Sequence, residues 1–309
     1  MLQHIVFNLR VGCLILKIRH IHIFQRELNP NLFRVDLTLG KQDNRFIMPC
    51  MILSAFQVDY TEEIKNGLIL VFFAAAMILA FLILTGSLLK KWLHLDAVEQ
   101  TSFIYSNAGN LIIPLVTAML GKEWVIYTSG LILVQIVMIF THATSVLAPG
   151  KGIELKKILY NPNILAISVG VLLFFTRIRL PGLLGDTIDS VGGLIGPISM
   201  LVTGMLIGGM DLKKVFSYRR VWLISFLRLI AAPLCILLIL RFSGIAGLVP
   251  GGRDILLVTF LACTTPSANT ITQLAQVHGN DAHYASAISV VTTLLCIVTI
   301  PVMVMLYQM

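Results

Sequence analysis

The chain has 309 residues, of which 57% are hydrophobic and only 12% charged, with a mean hydropathy of +0.89. A soluble domain carries about a quarter charged residues, so this composition excludes a water-solvated globule and points to lipid as the solvent. The net charge of +8 does not indicate nucleic acid, because the Lys and Arg residues fall in short clusters between apolar blocks, as orientation signals do.

Residues 1–45 form an atypical basic segment. Residues 5–24 are partly apolar but carry Arg10, Lys17, Arg19, His20 and His22. A cation at mid-bilayer costs about 2.5–3.5 kcal/mol, which offsets most of what the neighbouring Ile, Leu and Val residues contribute and weighs against a span here. The same stretch lacks a long apolar run ending in a small-residue cleavage site, so no cleavable signal peptide is expected.

A spanning helix needs about 20 apolar residues. After a short apolar run at 46–57, such stretches occur at 67–89, 101–120, 124–147, 163–178, 190–210, 219–242, 255–277 and 284–308. With the C-terminus outside, the inner loops hold Lys90, Lys91, Lys151, Lys156, Lys157, Lys213, Lys214, Arg219 and Arg220. The outer loops then hold Lys65, Lys122, Arg177, Arg179, Arg241 and Arg253. The excess of cations on the inner side favours this orientation in a cell membrane.

Prolines suggest an internal repeat. Pro49 and Pro114 are 65 residues apart, and Pro197 and Pro266 are 69 apart. The chain divides accordingly into a first repeat at 46–148, a cytoplasmic loop at 149–162 and a second repeat at 163–309. Five spans per half would invert one repeat relative to the other, a common transporter architecture.

Two spans are unusually polar. One contains Ser106, Asn107, Gly109, Asn110 and Pro114; the other contains Thr264, Thr265, Pro266, Ser267, Asn269 and Thr270. Proline breaks the helical hydrogen-bond ladder, and unwound backbone at membrane depth persists only inside protein or beside a water-filled cavity. One reading is a pair of discontinuous helices crossing near the midplane, whose half-helix N-termini offer N–H groups and a positive dipole end to a carboxylate. The other is a pair of kinked helices joined to their neighbours by Asn and Thr hydrogen bonds.

Arg228, in FLRLIAAP, lies eight residues inside its span from Arg220. Intramembrane charges often mark function; a side chain that snorkels or caps carbonyls near Pro233 is the plainer alternative. Asp59, at the edge of the first short element, is the one carboxylate offered for ion coupling. Tyr105, Gln135 and His142 are weaker candidates. His278, Asp281 and His283 read better as a turn between spans than as metal ligands. The five cysteines, Cys13, Cys50, Cys235, Cys263 and Cys296, contain no C-x-x-C pair and behave as small hydrophobes. No disulfide, metal or cofactor is expected.

The segments SNAGNLIIPL, RLIAAPL and ACTTPSANTITQLAQ, in this order, resemble those of the auxin efflux carrier family in its bacterial, malate- or malonate-permease-like branch, and FIMPCMILSAFQ resembles that family's second span. The resemblance covers residues 46–309. It implies an all-α polytopic membrane protein with a ten-helix inverted-repeat (5+5) transporter fold, in which broken helices four and nine, holding Pro114 and Pro266, cross. It also implies a substrate site at the crossing, with Asn110 and Asn269 among its polar contacts, and organic anions such as auxin or malate as substrates. Residues 10–44 depart from the family pattern, which leaves nine spans if the first is missing.

The expected function is secondary transport of a small organic anion by alternating access, with Ser106, Asn107, Asn110, Pro114, Thr265, Pro266 and Asn269 as substrate-binding residues and Arg228 and Asp59 as secondary candidates. A passive channel is one alternative, though no filter motif such as TVGYG is present; a non-functional carrier lacking its first span is another. The chain shows no H-E-x-x-H, G-x-S-x-G or paired intramembrane acids of a membrane enzyme. Beyond the solute and lipid, the sequence leaves the oligomeric state open, a homodimer among the options.

Overall fold

The computed structural model describes residues 46–150, 155–208, 210 and 212–309. The basic segment 1–45, with the question of a span at 5–24, and part of the loop at 149–162 lie outside the described residues. The rest is helical: α1 (Met48–Ala55), α2 (Glu62–Leu93), α3 (Ala97–Ile104), α4 (Ala108–Met119), α5 (Lys122–Leu147), α6 (Pro162–Thr176), α7 (Gly182–Gly193), α8 (Ile195–Gly208), α9 (Arg219–Phe242), α10 (Gly252–Thr264), α11 (Asn269–Val277) and α12 (Ala282–Gln308). Five stretches, α2, α5, Gly182–Gly204, α9 and α12, are long and apolar enough to cross a membrane, and α4 and α6 are shorter apolar helices. The chain is an all-α, multi-pass membrane protein.

Among the described residues each apolar run expected after residue 45 falls on helix, interrupted inside the runs at 101–120 and 255–277, and the boundaries move for identifiable reasons. The run at 67–89 extends to Glu62–Leu93 because the Thr61 hydroxyl caps its start, accepting from the Ile64 N–H at 3.1 Å. Glu62 and Glu63 occupy its first turn and Lys90 and Lys91 its last, each sign opposing the helix dipole it meets. The stretch at 101–120 starts earlier because Asp96 and Glu99 form a reciprocal capping box on α3. The expected turn at 277–284 is present, and the Asp281 carboxylate caps α12 by accepting from the Tyr284 N–H at 2.9 Å.

The helices pack as two groups. In the smaller one, α1 lies against α6 and α7. Gly192 permits that contact: a Cβ there would come within 2.8 Å of the Met51 Cα, so a larger residue would push α7 off α1. The larger group is built on α2, α5, α10 and α12, with Val71, Ala74, Ile132, Leu256, Phe260 and Val290 buried between them. α8 packs onto α4 and joins the two groups. Phe73, Leu84, Leu172, Leu183, Leu238 and Val298 point outward, as expected of side chains that meet lipid.

Candidate functional site

Two polar elements break and meet. α3 ends at Ile104 and α4 begins at Ala108; α10 ends at Thr264 and α11 begins at Asn269. Between the halves both chains are extended: Tyr105 has φ −96° and ψ 129°, and Thr265 has φ −72° and ψ 155°. The two extended pieces pair as an antiparallel bridge, Ser106 opposite Ser267. The Asn107 N–H donates to the Pro266 carbonyl at 2.8 Å, and the Ala268 N–H donates to the Tyr105 carbonyl at 3.1 Å. Backbone groups released by each break are thereby satisfied by the other, which unwound chain in a membrane protein requires.

Neighbouring helices hold the crossing in place. Gln135 of α5 grips Ser106 with both ends of its amide: the Ser106 hydroxyl donates to Oε1 at 2.8 Å, and Nε2 donates to the Ser106 carbonyl at 2.6 Å. Thr292 of α12 accepts the Ser267 N–H at 3.2 Å. The Tyr105 hydroxyl donates to the Met138 carbonyl at 3.0 Å and lies 2.9 Å from His142 Nδ1; that carbonyl adjoins a π turn at Ile139–Ala143, which frees α5 backbone for such contacts.

Ser106, Asn107, Thr265 and Pro266 therefore come together, all buried. Asn110 and Asn269 lie just beyond, in the first turns of α4 and α11, and both are partly exposed. The Asn269 side-chain oxygen accepts from the Ser289 hydroxyl at 2.7 Å. The side chains of Asn107 and Asn110 make no hydrogen bond among the described residues, and no side chain caps the start of α4 or α11. Two half-helix N-termini thus begin at the crossing with N–H groups to offer.

Pro114 departs from the sequence expectation. It stands eight residues beyond Ser106, inside α4 at the start of a regular α turn, after a π turn at Ala108–Ile112. The first break contains no proline; its extended chain is paired with the second break through the bridge. Asp59 also stands apart. Its exposed carboxylate accepts from Arg179 Nη2 at 2.6 Å in the loop between α1 and α2, where it lines a surface cavity with Tyr60 and Arg177.

Arg228 neither snorkels nor caps carbonyls near Pro233. It is 0% exposed, on a π turn of α9 at Leu227–Ala231. Nη1 donates to the carbonyls of Phe103 and Ile104, at 3.1 and 3.4 Å, the last residues of α3 before the break.

Sequence reasoning missed Glu99. It sits in the first turn of α3, 1% exposed, and accepts from Arg220 Nε and Nη2 at 2.6 and 2.7 Å and from the Tyr284 hydroxyl at 2.8 Å. The ion pair joins α3, α9 and α12 at the end of α3 remote from the crossing. The capping spacing of Asp96 and Glu99 was the available signal. Burial raises the carboxyl of Asp96, in the preceding loop, above its ordinary range, against the pull of the Glu99 N–H that it caps. Thr292 and Ser289 were also missed; both sit in an apolar run that gives no local sign of their partners.

Residues 150–304 match the family model described as membrane transport protein. The match takes in Arg228 and the second break, and it stops short of the first. A comparison with curated proteins finds no match.

Proposed function

The chain belongs to the membrane transport protein family of auxin efflux carriers, and from that membership we propose that it is a secondary carrier that moves a small organic anion across the cell membrane by alternating access. The observation that carries this reading is the crossing. Two broken helices, bridged at Ser106 and Ser267, each start a second half with uncapped N–H groups beside an asparagine. Helix N-termini favour negative charge, and an asparagine amide supplies donors and acceptors without a fixed charge.

In this proposal 46–148 and 163–309 are inverted repeats of a ten-helix fold, with α3–α4 and α10–α11 as its broken helices four and nine and with the C-terminus outside. Asn107, Asn110 and Asn269 contact the anion. Ser106, Thr265 and Pro266 shape the unwound backbone, and Pro114 sets the course of α4. Auxin-like monocarboxylates and dicarboxylates such as malate are the substrate classes that suit two N-termini. Asp59, tied to Arg179 at the surface, is a poor candidate for ion coupling.

Reconstitution in liposomes tests the reading. Saturable counterflow of an organic anion is expected, and replacing Asn110 and Asn269 together by Ala should lower it at least about 100-fold, since each lost contact to a charged ligand removes about 1.5–3 kcal/mol. Flux that does not saturate would indicate a channel. Counterflow unchanged in the double variant would remove the crossing as the site.

A further inference from the structure

Arg228 holds more charge than its contacts require. Among the described residues no carboxylate pairs with it. Nη1 meets two carbonyls, while Nε and Nη2 are buried and find no partner among the described residues. The two carbonyls are the C-terminal end of α3, equivalent to roughly half a negative charge. About half of the guanidinium charge is therefore left uncompensated in a medium where a lone ion is strongly disfavoured.

Capping alone does not call for a cation. α10 ends at the same crossing with the same need, and it is met by neutral groups: Thr264 Oγ1 donates to the Leu261 carbonyl and Thr265 Oγ1 to the Ala262 carbonyl, both at 2.7 Å. One break is closed by hydroxyls of its own helix; the other draws an arginine from α9. Ile104 precedes Ser106 by two residues, so its contact with Arg228 places the guanidinium within about 10 Å of the bridge.

We infer that Arg228 is the fixed counter-charge of the carrier. The crossing is positive when empty and close to neutral when a monoanionic carboxylate occupies it, so the step that moves charge through the membrane field is the return of the empty carrier. Loaded translocation of a monoanion is nearly electroneutral. This rests on the alternating-access reading above and goes beyond it, by assigning the charge-carrying step and the group responsible. Arg228, fully buried, acts as a positioning and potential-setting residue.

Charge movement in substrate-free protein tests it. Proteoliposomes on a supported membrane are stepped in voltage with no organic anion present. The wild-type protein should give a saturable transient current, because an uncompensated charge moves through the membrane field as the empty carrier changes side. Arg228→Gln should reduce the transient about tenfold, and Arg228→Lys should keep it while losing the two-carbonyl contact. A transient of wild-type size in Arg228→Gln overturns the inference, as does none in the wild-type protein. Should Arg228→Gln fail to fold, Arg228→Lys decides: loss of its transient overturns the assignment. The carrier reading fails separately, on absence of saturable counterflow across a panel of organic anions.

Discussion

The two breaks reach one geometry by different means. The first, at Tyr105–Asn107, contains no proline. It is held by residues far away in the chain: Gln135 on Ser106, the α5 backbone and His142 on Tyr105, and Arg228 on the carbonyls of Phe103 and Ile104. The second, at Thr265–Ala268, contains Pro266 and ends α10 with the hydroxyls of Thr264 and Thr265; among the described residues, its side-chain support from another helix is Thr292. One break is non-local and the other is largely local. An extended segment inside a membrane protein needs its hydrogen bonds replaced, and proline is only one way to begin.

Removing the non-local support should show the largest effect. Interhelical side-chain hydrogen bonds in membranes contribute about 0.6–2 kcal/mol each. Gln135→Met keeps the length of the side chain and deletes both bonds to Ser106, so the protein should lose about 1–4 kcal/mol in SDS-induced unfolding from mixed micelles. An unfolding curve that matches wild type would show that Ser106 finds other partners and that the first break stands on its bridge alone.

The second break should respond less. Thr292→Val preserves the shape and leaves the Ser267 N–H without its acceptor, at a cost of about 0.6–2 kcal/mol by the same measurement. A larger loss for Thr292→Val than for Gln135→Met would reverse the ranking and make the second break the one that depends on distant residues.

The same contrast explains what the sequence made legible. The helices after residue 45 were readable because lipid imposes long apolar runs, and caps such as Thr61 and Asp96 lie next to the helices they start. Thr265 and Pro266 were readable because the second break announces itself locally: a proline restricts the residue before it to extended backbone. Pro114 misled, because sequence alone does not distinguish a proline that breaks a helix from one that starts a regular turn after a π segment. Arg228 stood out as a charge in an apolar run, yet its partners, 124 and 125 residues away, carry no sequence signal: they are backbone carbonyls, and every residue has one. Glu99 was hidden for the related reason that a carboxylate near a helix start reads as solvated until its distant arginine is known.

The smallest effects should come from the prolines themselves, and they test the comparison most directly. If the bridge, and not proline, keeps both chains extended, neither proline is essential. Pro114→Ala should shift unfolding by no more than about 1 kcal/mol, since alanine gains a helix-interior N–H for α4 while the unfolded chain loses the restriction of the proline ring, and the two effects oppose each other. Pro266→Ala should cost about 1 kcal/mol, because alanine brings a new N–H into a buried segment with no acceptor provided, while the bonds from Asn107 to the residue 266 carbonyl and from Ala268 to Tyr105 remain. Counterflow should persist in both variants. Loss of counterflow in Pro266→Ala alone would mean that the second break, unlike the first, is held open by its proline. The two halves of the crossing would then differ in cause as well as in composition.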